Sequence, residues 1–169
     1  MKIESIRPLT GPNVYSHNPV LLMSLDLGEL AERESREFDG FNERLLNTLS
    51  GIKTHHCSLG RPGGFVTRLE EGTYFGHVVE HVALELTSLS GIGKSHGKTR
   101  QDTGSVYNIA IEYRSDAAST YLLKQAVELV EALLRAESFA VEPVLEEAKR
   151  LVADNDIGPT TRAIIEASE

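Results

Sequence analysis

A chain of 169 residues with 40% hydrophobic content is long enough for one domain with an ordinary core. Its formal net charge of -8, from 17 basic and 25 acidic residues, argues against general nucleic-acid binding, which depends on a basic surface. The chain has no apolar run as long as a membrane span, no signal-peptide core at its start and only one cysteine, so we expect a cytoplasmic protein that uses neither a membrane nor a disulfide.

Apolar spacing and turn residues predict an α+β fold, a single domain of about four strands and four helices. In the first half of the chain we predict a strand at Lys2–Arg7, a buried strand at Val20–Leu27, a short helix at 39–50, a third strand at Ile52–Cys57 and a glycine-rich loop at Gly60–Phe65. The glycines of that loop allow the backbone to approach a ligand closely, but the sequence alone favours a plain turn.

The next stretch, Leu69–Leu89, is predicted to be one amphipathic helix packed against the sheet, because apolar residues recur every three or four positions. Gly91–Arg100 contains the glycines and lysines of a phosphate loop, but their spacing is wrong and a helix precedes them. We therefore expect a flexible basic loop there and no ATP site in this chain. A strand and two helices complete the pattern, at Val106–Tyr113, Ala117–Ala136 and from Pro143 onward.

The helix at Leu69–Leu89 carries His77, Glu80 and His81 on the side opposite its apolar stripe, so we expect the histidines to lie outside its core. Two imidazoles one helical turn apart can bind one metal ion, and a carboxylate between them can take a proton from water. The order His-x-x-Glu-His is that of the inverted zincin peptidases. The alternative is an exposed helix face that carries these residues by chance, because short motifs often match by accident.

A third ligand is expected from Cys57, the single cysteine, which ends the strand predicted before the helix. One thiolate and two imidazoles would hold zinc and leave a fourth position open for water. His56 and Glu85 are further candidate ligands. The alternative for Cys57 is the common one for a lone cysteine, a small buried side chain without chemistry.

Several sequence blocks follow one another in a characteristic order: Gly11–Tyr15, Cys57–Phe65, Glu71–Thr73, Gly76–Leu86 and Val106–Asn108. These blocks are spread along most of the chain, which resembles the N-terminal domain of the cyanophycin synthetase family. Ile157–Thr161 is similar to the start of the ATP-grasp domain of those enzymes. We therefore interpret residues 1–155 as the N-terminal domain and residues 156–169 as a linker or the start of a missing ATP-grasp domain.

The resemblance implies a ligand and partners. Full enzymes of this family use ATP to build cyanophycin, a polyaspartate with arginine on each side chain. Their N-terminal domain holds the growing polymer, and in some members it also cuts polymer into primers. The partners implied are therefore cyanophycin and the remaining synthetase domains, while self-association into a homo-oligomer stays open. Carried over to this chain, the resemblance implies zinc held by His77, His81 and Cys57, with Glu80 as general base.

Charged residues near the motif are candidates for contact with the polymer, because carboxylates bind guanidinium groups and cations bind carboxyl groups. The alternative, which is the more common one for each of them, is a surface charge without a ligand. The candidates are Glu70, Glu71 and Glu85 for the first contact and Arg61, Lys98 and Arg100 for the second. Two functions remain open: a zinc-dependent hydrolase acting on cyanophycin, and a noncatalytic module that only anchors the polymer. The order His, Glu, His beside a cysteine favours the hydrolase, because a pure binding surface does not require it.

Overall fold

The computed structural model describes residues 1–93 and 96–155, which form a sheet of four strands together with five α-helices. In chain order these are β1 Lys2–Leu9, β2 Val20–Asp26, α1 Phe41–Thr48, α2 Gly64–Glu71, α3 Phe75–Leu89, β3 Gly97–Gln101, β4 Val106–Glu112, α4 Asp116–Leu134 and α5 Val141–Asn155. The α+β prediction is confirmed. None of these helices is long and apolar enough to cross a membrane. The predicted linker at 156–169 lies outside the described residues.

The sheet is antiparallel in the order β1-β2-β4-β3, so β1 and β3 are its edge strands. Side chains alternate between the two faces of a strand. The inner face of the two central strands belongs to the main hydrophobic core, which it shares with α1 to α5. On the outer face, Val20, Leu22 and Ala110 form a small second cluster against Leu9 and Tyr15. The helices therefore all cover one side of the sheet.

The central element is α3, which packs directly on the sheet. A Cβ atom at Gly76 would lie 2.7 Å from the Tyr107 ring on β4 and 3.1 Å from the Thr99 methyl on β3. The Thr99 hydroxyl also donates to the Gly76 carbonyl oxygen at 3.4 Å. Glycine is thus required where helix and sheet approach most closely. As predicted, the helix that carries the motif packs against a sheet.

Two predictions of local structure need correction, one of a strand and one of a loop. The expected strand at Ile52–Cys57 is wrong, because Ser50–Thr54 and Cys57–Leu59 form 3-10 turns around the fully buried Ile52. The expected basic loop is also wrong from residue 97 onward, since Gly97–Gln101 is strand β3. Its polar composition reflects its place at the sheet edge, where one face stays exposed. Lys94 and Ser95 lie outside the described residues.

The predicted single helix at Leu69–Leu89 is two helices. The break falls at Gly72, whose φ of 103° is a conformation that side chains rarely adopt, and α3 starts three residues later. A Cβ atom at Gly72 would lie 2.3 Å from the Glu34 carboxylate. Glu34 and Tyr74 also form an isolated β-bridge. The chain is therefore turned between α2 and α3 by a contact that is distant in sequence.

Candidate metal centre

Three potential ligands converge at the N-terminal half of α3. One donor atom from each of Cys57, His77 and His81 lies within 4.8 Å of the other two. The Cys57 Sγ is 3.3 Å from the His77 Nε2. Sulfur and nitrogen ligands of one tetrahedral zinc ion are about 3.5 Å apart, given the usual bond lengths. The three side chains are thus spaced to share one ion.

Helix geometry and an unusual backbone conformation bring the ligands together. His77 and His81 lie one turn apart on α3, with ring centroids 4.7 Å apart. Cys57 begins the 3-10 turn Cys57–Leu59, and its φ of 56° is left-handed, which is uncommon for a residue with a side chain. Such conformations concentrate at functional sites, where the surrounding structure imposes them. The strained residue here is also the one that offers the thiol.

Both histidines have their Nδ1 atoms occupied by protein partners. The Nδ1 of His77 is 2.9 Å from the Thr73 hydroxyl, and the Nδ1 of His81 is 2.9 Å from the Nδ1 of His55. Partners of this kind orient the ligand imidazoles of metal sites. The Nε2 of each ring is thereby left for an ion. The Phe65 ring stacks on His81 with a centroid distance of 3.9 Å and holds it in place.

Burial keeps the two histidines neutral. It lowers the pKa of His77 to about 4, with a smaller contribution from the positive charge of Arg68. It lowers the pKa of His81 to about 2, with smaller contributions from His77 and His55. Neutral imidazole is the form that binds metal ions. The metal-free protein therefore presents both rings in the ligand form at neutral pH.

The expectation that the motif histidines lie outside the core is wrong. His81 is only 3% exposed, the neighbouring Glu80 is 6% exposed, and His77 is half-buried. The polar side of α3 is covered by the segment around Ser50–Leu59 and by Phe65 of α2. That covering segment also supplies Cys57. A pattern of polar residues on one helix side could not reveal that a second layer covers it.

Glu80 lies against the edge strand β3. A Cβ atom at Gly97 would be 2.8 Å from the Glu80 Cγ, so glycine makes room for this side chain. Burial raises the pKa of Glu80 to about 7, with a smaller opposing effect from polar groups of Thr99. A carboxyl group with this pKa exchanges its proton readily at neutral pH.

The other predicted site residues divide into one buried residue and several exposed ones. Glu85 is 5% exposed, and its Oε2 is 2.9 Å from the His55 Nε2. His56 is exposed. The predicted polymer contacts with exposed side chains are Arg61, Glu70, Glu71, Lys98 and Arg100. Sequence reasoning missed His55, and the spacing of Glu85 four residues after His81 was the one signal pointing to this cluster.

Lys98 and Arg100 share the outer sheet face. They are two residues apart on β3, and the strand register places Lys98 opposite Ala110, Ala110 opposite Leu22 and Leu22 opposite Arg7. All three cationic side chains are exposed. Within the described residues none of them forms an ion pair with a carboxylate. This outer sheet face therefore offers cationic groups in a domain that is acidic as a whole.

The segment that holds Cys57 depends on close contact with α2. A Cβ atom at Gly64, the first residue of α2, would lie 1.9 Å from the His56 backbone oxygen. We predict that Gly64→Ala lowers the free energy of unfolding by about 1–3 kcal/mol, as overpacking against backbone does. Urea unfolding of the metal-free protein measures this. Gly11→Ala is the control, since a Cβ there meets nothing within 4 Å, and equal midpoints for the two variants would contradict the prediction.

Comparison with known proteins agrees with the resemblance seen in the sequence. A family model described as the cyanophycin synthase-like N-terminal domain matches residues 22–135. A protein named cyanophycin synthetase from Trichormus variabilis is 39% identical to this chain in an alignment that covers 100% of it. The protein of that name from Synechocystis sp. is 40% identical in an alignment that covers 98% of it. The protein of that name from Geminocystis herdmanii is 37% identical over 175 residues. The chain spans 19% to 20% of the length of these relatives.

Proposed function

This chain belongs to the cyanophycin synthase-like N-terminal domain family, and from that premise we propose that it binds cyanophycin and hydrolyses it at a zinc centre into primers for polymer synthesis. Its partners would be the polymer and the remaining domains of a synthetase. One observation carries the proposal: Cys57, His77 and His81 meet within 4.8 Å, and the helix that provides both histidines also carries the buried Glu80.

The donor set fits zinc. A thiolate and two neutral imidazoles are ligands that zinc prefers, and three protein ligands with a free fourth position are typical of catalytic sites. Structural zinc sites usually have four protein ligands instead. When bound to Cys57, His77 and His81, zinc would supply a Lewis acid that polarises an amide carbonyl and makes water more acidic.

Glu80 is proposed to move the proton. In amide hydrolysis the water oxygen forms a bond to the carbonyl carbon, the C–N bond breaks, and the departing nitrogen gains a proton. Glu80 takes a proton from the water and delivers it to that nitrogen. A carboxyl pKa of about 7 suits both steps, because the group can accept and release a proton near neutral pH.

The polymer is proposed to contact exposed charges on both sides of the sheet, beside α2 on the helical side and on the outer sheet face. Carboxyl groups of cyanophycin would bind Lys98 and Arg100 on the outer sheet face and Arg61 before α2. Guanidinium groups of the polymer would bind Glu70 and Glu71 at the end of α2, since arginine and carboxylate form paired hydrogen bonds. Of these, Glu71 already lies 3.7 Å from Arg68, an exposed contact that a stronger partner can replace.

The outer sheet face gives a direct test of polymer binding. We predict that Lys98→Ala with Arg100→Ala weakens binding about tenfold, because each lost contact to a carboxylate costs a fraction of a kilocalorie or more. Co-sedimentation with insoluble cyanophycin measures the binding constant. Lys149→Ala with Arg150→Ala on α5 is the matched control, with the same charge change at exposed and locally paired positions. Equal binding by the two double variants would remove the outer sheet face from the proposal.

The hydrolase itself is tested by incubating the purified chain with cyanophycin and zinc, with and without a chelator. Mass spectrometry of the soluble fraction is expected to detect short aspartate-arginine chains that disappear when the chelator is present. A protein that contains its metal but releases no product would contradict the hydrolase. The noncatalytic polymer-binding module would then be the remaining function, provided that saturable binding persists.

A further inference from the structure

A chain of hydrogen-bonded side chains extends behind His81, away from the proposed ion. The Nδ1 of His81 is 2.9 Å from the Nδ1 of His55, and the Nε2 of His55 is 2.9 Å from the Oε2 of Glu85. We propose that Glu85 and His55 are positioning residues, which hold His81 in the one tautomer that turns a free Nε2 toward the metal ion. This inference rests on the metal centre proposed above but assigns roles to two residues outside the ligand set.

Counting protons shows which side chain donates and which accepts in each of these two hydrogen bonds. A carboxylate can only accept hydrogen bonds, so His55 must donate from its Nε2 to Glu85. Neutral His55 then has a bare Nδ1, which can only accept, and His81 must donate from its own Nδ1. The Nε2 of His81 is left without a proton. With the opposite direction, the proton would sit on Nε2 of His81 and block coordination.

The fold reserves space for this arrangement. A Cβ atom at Gly51 would lie 1.9 Å from the Glu85 Oε1, so only glycine at this position leaves room for the carboxylate. Gly51 and His55 both belong to the segment that covers α3, and Glu85 lies one helical turn beyond His81. The side chains of His55 and Glu85 are 17% and 7% exposed, so water competes little for their hydrogen bond.

Glu85→Gln tests the direction of these hydrogen bonds, because the glutamine side chain has almost the same shape as glutamate. The glutamine amide can donate to the Nε2 of His55, which permits the reversed order and a proton on Nε2 of His81. Zinc affinity, measured by competition with a chromophoric chelator, is expected to fall about 10- to 100-fold, the usual loss when a partner of a metal ligand is removed. Glu128→Gln on the exposed side of α4 is the control and should leave the affinity unchanged.

Two variants of His55 separate positioning from general stability. Asparagine can place its Oδ1 near the former Nδ1, so His55→Asn retains an acceptor for His81, whereas His55→Ala has none. We expect zinc affinity to stay within about threefold for asparagine and to fall 10- to 100-fold for alanine. A purely structural role would reduce affinity in both variants alike, in step with their unfolding midpoints, and would overturn the inference.

Nuclear magnetic resonance shows directly which ring nitrogen of His81 and of His55 carries the proton. Long-range proton–nitrogen spectra of the zinc-loaded protein should show His81 protonated at Nδ1 and His55 protonated at Nε2. Protonation of His55 at Nδ1, or unchanged zinc affinity in Glu85→Gln, would overturn the inference. A parent protein that binds no zinc would overturn it together with the proposed function. Zinc binding without cleavage of cyanophycin would contradict only the hydrolase and leave the roles of His55 and Glu85 intact.

Discussion

Glu80→Gln is expected to lower the rate of cyanophycin cleavage by about a hundredfold to ten-thousandfold, the contribution typical of general acid–base catalysis. The glutamine keeps the size of the side chain and one oxygen that can accept a hydrogen bond. It cannot take a proton from water. Because burial already raises the pKa of this carboxyl to about 7, a neutral side chain at position 80 suits its surroundings. Folding and zinc content should therefore be preserved.

Two measurements test Glu80→Gln: the rate at which it releases soluble product from cyanophycin, and the number of zinc ions bound per protein molecule. Glu128→Gln serves as control, because its side chain is exposed on α4. A Glu80→Gln protein that contains zinc and cuts at the parent rate would eliminate Glu80 as the proton acceptor. Loss of zinc together with activity would assign Glu80 a role in holding the ion instead.

Cys57→Ala is expected to abolish cleavage and to weaken zinc binding about a thousandfold. Structural zinc sites contribute about 10–16 kcal/mol through four ligands, so an equal share for one thiolate is roughly 2.5–4 kcal/mol, and the upper end corresponds to about a thousandfold in affinity. The parent protein should gain about 2.7 kcal/mol of stability at a zinc concentration of 100 times the dissociation constant. Thermal unfolding with added zinc or chelator measures this gain, which Cys57→Ala should lack at the same zinc concentration.

His56→Ala provides the matched control for the cysteine. The two residues are adjacent, but the side chain of His56 is exposed whereas Cys57 Sγ lies 3.3 Å from the His77 Nε2. We expect His56→Ala to bind zinc and cut polymer as the parent does. If His56→Ala lost zinc and Cys57→Ala retained it, the ligand set would have to be changed.

The sequence predicts which residues could form the site better than it predicts the structure that surrounds them. Helical spacing places His77 and His81 one turn apart whatever the rest of the fold does, and a thiol nearby is a natural third donor. The position of Cys57 depends instead on a left-handed backbone conformation, which no local preference predicts. His55 reaches His81 through the same segment, so its role depends on a contact between residues 26 positions apart.

The errors in the fold have related causes. Strand β3 is polar because it lies at the sheet edge, and a hydrophobic pattern detects only strands that are at least partly buried. The helix break at Gly72 depends on a bridge between Glu34 and Tyr74. The helix break is decided by residues far apart in sequence and β3 by its pairing with β4, whereas hydrophobic periodicity reports only on which side chains of one element are buried. The predicted number of strands, about four, is correct, but one strand was predicted at Ile52–Cys57 and lies instead at Gly97–Gln101.

The edge position of β3 also affects how molecules of this protein meet one another. An edge strand exposes backbone amides that can pair with a strand of another molecule and start aggregation. On β3 the side chains of Lys98 and Arg100 are exposed cations, which disfavour such strand pairing. The two cations assigned to polymer binding therefore also protect this edge of the sheet from edge-to-edge association.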